Sequence, residues 1–245
     1  MKKEKIMRLS RKIFCTAGIV ILLSGTKLFA EGQTAKEILN KAYQYIGSMD
    51  KYAFDAVVVD AYTLNDKVKK VKHRVSVKVD RPGKLRVDVN GDTVNRSNYI
   101  NNGSFTMLDH DYEYYGQLQT PKSIDGALDF ILEKYGINAP LASLIYSNMG
   151  QRMKFRTSKN FGKMNVDGVE CDYVAFKDKE KEAHVWIASG DKPFIKSYSL
   201  IDNTDEEQIR INTSLSWKTG SKINDTDFVF IAPEGVSKIS IESAN

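Results

Sequence analysis

The stretch Thr120–Asn148, TPKSIDGALDFILEKYGINAPLASLIYSN, decides how this chain folds, because it breaks a strand pattern that runs almost everywhere else. Within it Ile124, Ala127, Leu128, Ile131, Leu132 and Tyr135 recur at helical spacing and form one apolar stripe. Gly136 is placed to stop that helix. Pro140 opens a second short segment in which Leu141, Leu144 and Ile145 repeat the spacing, with Asn148 placed to end it. A helical pair inserted into a meander of strands predicts a cap over a curved sheet.

Upstream of the interruption the period is two. Val71, His73, Val75, Val77 and Val79 alternate with Lys70, Lys72, Arg74, Ser76 and Lys78, which gives one dry and one wet face. Arg81-Pro82-Gly83 breaks the run, Leu85, Val87 and Val89 alternate again, and Asn102-Gly103 predicts a hairpin joining Tyr99-Ile100 to Phe105–Met107. Downstream, strands are expected over Lys154–Phe161, Glu170–Phe176, Ala183–Ile187, Phe194–Ile201, Gln208–Trp217 and Phe228–Ile231. Before the first strand, Thr34 and Glu37 form a capping box for a helix whose apolar face is Ala35, Ile38, Leu39, Ala42, Tyr45 and Ile46. About ten strands exceed what a flat open sheet holds, so the sheet should curl. The fold class is mainly β with helices (α+β): a strongly curved antiparallel half-barrel with a helical lid on its concave side and an N-terminal helix.

The N-terminus is a targeting segment rather than part of this fold. Lys2, Lys3, Lys5, Arg8, Arg11 and Lys12 precede an apolar run from Ile13 to Leu23, and cleavage is expected after Ala30, with an uncleaved anchor as the alternative. Residues 1–30 are thus a signal peptide and 31–245 a single domain in the periplasm, without stable membrane insertion after cleavage. Removing the leader takes seven of 36 basic and one of 31 acidic residues, leaving 29 against 30 and a net charge of −1. The basic balance of the whole chain therefore carries no argument for nucleic acid, and we discard it as a partner. The remaining basic run, from Lys67 to Lys78, reads as the wet face of a strand. Cys15 leaves with the leader, so Cys171 cannot form an intramolecular disulfide and should be buried.

No constellation of residues names a reaction. His73, His110 and His184 are scattered without metal-ligand spacing, Asp109-His110-Asp111 falls where a turn should join two strands, and phosphate loops and nucleophile elbows are absent from the sequence. Hence no catalytic residues, no metal and no cofactor are expected, and the protein is read as a non-enzyme.

Six strings then line up in order: RPGKLRV (81–87), NGSFTMLD (102–109), INAPLASL (137–144), VDGVECDY (166–173), VWIASGDKP (185–193) and FVFIAPEG (228–235). In that order they resemble a predicted periplasmic protein family of unknown function, itself similar to the outer-membrane lipoprotein carriers LolA and LolB. The resemblance implies a bent antiparallel sheet closed by a helical lid over an apolar cavity. The chain departs from the family pattern at Phe194 and Ala232, where prolines are expected.

The functional expectation is a periplasmic binding or carrier protein that holds an apolar ligand, such as a lipid or lipoprotein acyl chain, between sheet and lid. Phe54, Leu128, Ile131, Leu144, Ile145, Trp186 and Leu215 are the candidate cavity lining. The alternative is a protein-interaction module, an envelope stress sensor or assembly factor with the same fold and an envelope protein as partner. The same apolar stripes also fit a permanently filled core.

Overall fold

The strand alternation of the sequence reappears as burial. In the computed structural model, which describes residues 33–64, 67–204 and 209–244, Val75, Val77 and Val79 are fully buried while Arg74, Ser76 and Lys78 lie on the other face. They belong to β2 (Lys67–Asp80), which follows helix α1 (Ala35–Gly47) and β1 (Lys51–Leu64). Next come β3 (Lys84–Gly91), β4 (Asn95–Asn101), β5 (Ser104–Asp109) and β6 (Tyr114–Gln119). Helix α2 (Ile124–Tyr135), a 3-10 turn at Ala142–Leu144 and the single-turn α3 (Met149–Arg152) interrupt the meander. It resumes with β7 (Thr157–Val166), β8 (Val169–Lys177), β9 (Lys181–Ala188), β10 (Ile195–Asp202) and β11 (Ile209–Trp217), and ends in β12 (Ser237–Ile239).

All twelve strands form one open, curved sheet in the order β12-β6-β5-β4-β3-β2-β1-β11-β10-β9-β8-β7. β1 is the seam, pairing with β2 on one side and β11 on the other, so two meanders are zipped together at their first and last strands. Every pairing is antiparallel except the short parallel contact of β12 with β6. The helices lie over one face, and their apolar residues join the inward residues of both meanders in a continuous core. The half-barrel with helices over its inner face is the expected one.

α1 starts at the predicted capping box, where the Thr34 hydroxyl accepts from the Glu37 backbone N–H while the Glu37 carboxylate accepts from Thr34. Its buried face carries Tyr43 instead of the expected Tyr45, which leans outward and packs edge-on against Phe194 with ring centres 5.1 Å apart. α2 is capped by the Ser123 hydroxyl and ends at Gly136, whose φ of 65° is the left-handed conformation that glycine adopts without a steric penalty. Leu132 lies at the margin of the stripe and is exposed, so the inward face is Ile124, Ala127, Leu128 and Ile131. The second segment is a 3-10 turn, and Asn148 begins α3 rather than ending a helix.

Two strand expectations need correction. β7 begins at Thr157 and not at Lys154, because Phe155 packs on Phe176 at 4.6 Å instead of entering the ladder. Phe228–Ile231 is not a strand: Asp225–Phe228 is a 3-10 turn held by its own Asn224/Asp227 capping box, with Lys78 and Lys84 reaching Asp227 and Asp225. Phe228 is buried there, and Phe230 packs against Tyr99 and Tyr115, so this segment covers the outer face of the first meander. The expected signal peptide lies outside the described residues; Gln33 onward forms one compact unit.

Candidate functional site

Register across the first meander stacks side chains into rows beneath α2. Because the Asn102-Gly103 turn pairs Ile100 with Phe105, and β3 pairs Leu85 with Ile100, these three residues form one inward row, all of it apolar. Two residues along, the row is Val87, Asn98 and Met107; two further, it is Val89, Arg96 and Asp109. His73, opposite Gly91 on β2, lies beyond that row. From the first row to the third is about 14 Å at ~3.4 Å per residue.

These rows do not close against the lid. A cavity of about 170 Å³ remains between them and α2, roofed by Leu128 and Ile131 and by the loop Ile137–Pro140. Its floor is aliphatic and aromatic, whereas His73, Arg96, Asn98 and the exposed Asn138 bring polar groups to its border. A cavity of roughly this size, at about 150 Å³, holds a benzene ring. A larger cleft, of about 260 Å³, lies between α1 and α3, but its walls are more polar and include Lys36, Asn40 and Lys154.

The guanidinium of Arg96 is fixed before any ligand arrives. Its Nε donates to Asp109 Oδ2 at 2.9 Å, and the other oxygen of that buried carboxylate accepts from the backbone N–H groups of Asp111 and Tyr112 at 3.2 and 3.1 Å. Burial pushes the Asp109 pKa up, but the two N–H groups and Arg96 outweigh it and hold the carboxyl below its usual range. The turn expected at Asp109–Asp111 thus serves to orient Arg96.

The roof is latched by polar contacts. Asp129 on α2 accepts both Nη groups of Arg152 at 2.9 Å and the Tyr146 hydroxyl at 2.8 Å, while Asp125 accepts from the Ser147 N–H and hydroxyl. Arg152 lowers the Asp129 pKa, with Tyr146 adding to it against the opposing effect of burial. Beneath, Tyr52 donates to the Leu144 carbonyl at 2.8 Å and Arg81 to the Ile145 carbonyl at 2.7 Å, which ties the 3-10 segment to the sheet.

Of the seven expected lining residues, Leu128 and Ile131 border the cavity. Phe54, Leu144, Ile145 and Leu215 are buried in the filled part of the core. Trp186 is on the opposite face of the sheet, stacked on Tyr173 with ring centres 4.9 Å apart and its indole N–H directed to Met164. The sequence reading missed Leu85, Val87, Ile100 and Phe105 as lining, and with them Asn98 and Arg96. A signal existed: if Ile100 faces inward, parity sends Asn98 and Arg96 inward too, and two polar residues on a core face need a reason.

The three histidines are apart: His184 contacts Tyr173 and Glu182, His110 contacts Ser97, and His73 lies 3.8 Å from Asp60. Among the described residues no three His, Cys, Asp or Glu side chains are grouped to hold a metal ion. Cys171 is buried in β8, and desolvation pushes its thiol pKa up. No helix among the described residues is long and apolar enough to cross a membrane.

Residues 35–242 match the model of DUF2092, a family described as predicted periplasmic protein. Comparison with curated proteins gave no match. Among solved structures, an uncharacterised conserved protein from Thermus thermophilus aligns with TM-score 0.49 and 8% identity over 85% of this chain and 99% of its own. The lipoprotein LppX of Mycobacterium tuberculosis aligns at 0.44 and 10% identity over 78% of this chain and 98% of its own. The MucA/MucB complex of Pseudomonas aeruginosa aligns at 0.43 and 14% identity over 81% of this chain and 61% of the matched one.

Proposed function

The chain belongs to this family of predicted periplasmic proteins, and from that premise we propose that it binds an apolar ligand, an acyl chain, between β3–β5 and α2. The observation that carries the proposal is the apolar cavity beneath a latched roof. A packed domain normally fills such a space, since each void forfeits contact energy. By comparison with a benzene-sized void, the cavity takes about six carbons, which is the end of a chain and not the whole of it.

A longer chain requires the roof to lift, and the energies allow that exchange. Exposing Leu128, Ile131 and the half-buried Ile137 costs roughly 1.5–3 kcal/mol each, about 5–9 in all, while burying about 12 methylenes returns roughly 10 kcal/mol. Among the latch contacts Asp129–Arg152 is a partly exposed ion pair worth about 1 kcal/mol or less, and the Tyr146 and Ser147 hydrogen bonds, which water can replace, add roughly 0.5–1.5 kcal/mol apiece, so they restrain the roof without locking it.

The protein acts, on this reading, by binding and not by catalysis. Asp109, the carboxylate paired to the cavity-lining Arg96, has its pKa lowered, whereas a general acid needs it raised. Native mass spectrometry of gently purified protein, with lipid extraction, tests the proposal. Co-purified acyl species support it; ligand-free protein that also ignores fluorescent fatty acids overturns it.

A second reading, a protein-interaction module, draws support from the cavity volume, which is below the ~300–1,000 Å³ usual for ligand pockets. β7 also offers an edge with no strand beyond it in the described sheet. Crosslinking in cells separates the two: a protein partner attached at β7, with no lipid recovered, favours interaction.

A further inference from the structure

The three rows under α2 differ in polarity along the strand direction. The first contains only Leu85, Ile100 and Phe105; the second admits Asn98; the third presents Arg96 paired to Asp109. A hole meant only for hydrocarbon has no use for a guanidinium at its border, because an ionised side chain facing apolar ligand loses hydration without return. Asp109 uses only the Nε of Arg96, and among the described residues no acceptor engages its two Nη groups. They reach solvent at the cavity mouth, where an anionic group can replace the water on them.

Resting on the carrier reading above, we propose that the ligand is a single-chain amphiphile with an acidic head, a carboxylate or a phosphate monoester. Its chain lies along Leu85, Ile100 and Phe105, and its head is held by Arg96 with the amides of Asn98 and Asn138. The geometry favours this class over a neutral lipid for three reasons. Arg96 is oriented by a buried carboxylate that stays ionised, so its forked donors are preorganised for an oxyanion. Asn98 stands one row deeper on the same inward face and lines the same cavity as Arg96. Asn138 belongs to the roof, so a head bridging it to Arg96 would tie the lid loop to the sheet when the chain is in place.

The test is isothermal titration of the mature protein with dodecanoate, dodecyl phosphate and 1-dodecanol, which share one chain length and differ in the head. Both acids are expected to bind at least about ten-fold more tightly than the alcohol, the difference a charge-assisted pair supplies. In Arg96→Gln the acid-to-alcohol ratio should fall toward one. Arg96→Lys, which keeps a partner for Asp109 but loses the fork, should retain part of the preference and serves if the glutamine variant unfolds. Millimolar inorganic phosphate should not displace dodecyl phosphate. Equal binding of alcohol and acids by the wild type overturns the head assignment and leaves the carrier reading standing, while no binding of any of the three overturns both. Displacement by inorganic phosphate overturns the amphiphile and makes the site a plain anion site.

Discussion

A side chain large enough to occupy the space beneath α2 should be accepted there and rejected elsewhere in the core. Val87 sits in the middle row on the floor of the 170 Å³ cavity, fully buried. Val87→Phe adds a ring where a void of about 150 Å³ is known to take benzene. The added carbons bury about 2–3 kcal/mol of apolar surface, at ~0.8 per methylene, against a residual strain of about 1–2 for an imperfect rotamer. The variant should therefore be unchanged or stabilised by about 1 kcal/mol. Val185 on β9 is equally interior but belongs to the filled half of the sheet near α1. Val185→Phe has no such space and should lose about 1–3 kcal/mol. Equilibrium urea unfolding, comparing midpoints at constant m, measures both. The same Val87→Phe protein should fail to bind fatty acid. A Val87→Phe loss as large as that of Val185→Phe would show that no usable space exists, and full binding by the variant would place the ligand elsewhere.

Three further outcomes follow from the same geometry. Ile131→Ala enlarges the cavity from the roof side and should cost about 2–5 kcal/mol in urea unfolding, toward the lower end because one side already lacks contacts; titration across chain lengths should show the preferred chain becoming longer. Asp129, whose pKa is lowered by Arg152 and Tyr146, binds fewer protons folded than unfolded near its ordinary value of about 3.9, so its contribution is present above that pH and lost as pH falls through the depressed folded value. Asp129→Asn should remove this part of the acid dependence, read as the difference between the two stability curves below about pH 4, and should speed amide exchange in residues 124–152. Trp186→Ala, on the face away from the cavity, should leave fatty-acid affinity within two-fold by titration, and a larger change would mean that the outer aromatic row takes part.

How much of the molecule is legible in its sequence depends on the kind of pattern. Alternation in β2 and β3 and the capping box of α1 are local signals backed by burial of the same residues, and they transferred directly. The half-barrel was legible from strand number and from the helical interruption. Phe54, Leu144, Ile145 and Leu215 illustrate the limit: an apolar residue at an inward position looks the same whether its neighbours fill the space or leave it empty. Emptiness is a property of three elements meeting. Trp186 was a different miss, since Ala183, Val185 and Ile187 already take the inward parity of β9 and leave Trp186 outward. Leu132 failed because it lies at the margin of the apolar stripe, and α2 covers the sheet with fewer residues than its stripe contains. Phe228 and Phe230 alternate like a strand but are plugs for the outer face, held by ion pairs from Lys78 and Lys84 that no local pattern records.

The asymmetry between the two halves of the sheet explains why a cavity forms where it does. Over the second meander α1 sends down Leu39, Ala42, Tyr43 and Ile46 onto Val185 and Ile187, and the space left beside Leu39 and Phe176 is the polar-walled cleft between α1 and α3. Over the first meander α2 meets the cavity with Leu128 and Ile131, and β4 answers them with Asn98 and Arg96 where apolar side chains would have met the roof. Two changes on the inward face of β4 would close the gap: Asn98→Leu and Arg96→Leu supply apolar volume at the points where the rows fall short. The Arg96 change is costly because it takes one partner from the buried Asp109 carboxylate, at about 1–3 kcal/mol since Arg96 itself is part-exposed, whereas Asn98→Leu carries no such penalty. A chain selected only for stability would have an apolar residue at 98. That the polar side chain stands on the inward face, beside an oriented guanidinium and under a roof held by exchangeable contacts, is what makes a binding site the better account of this half of the sheet than an imperfectly packed core.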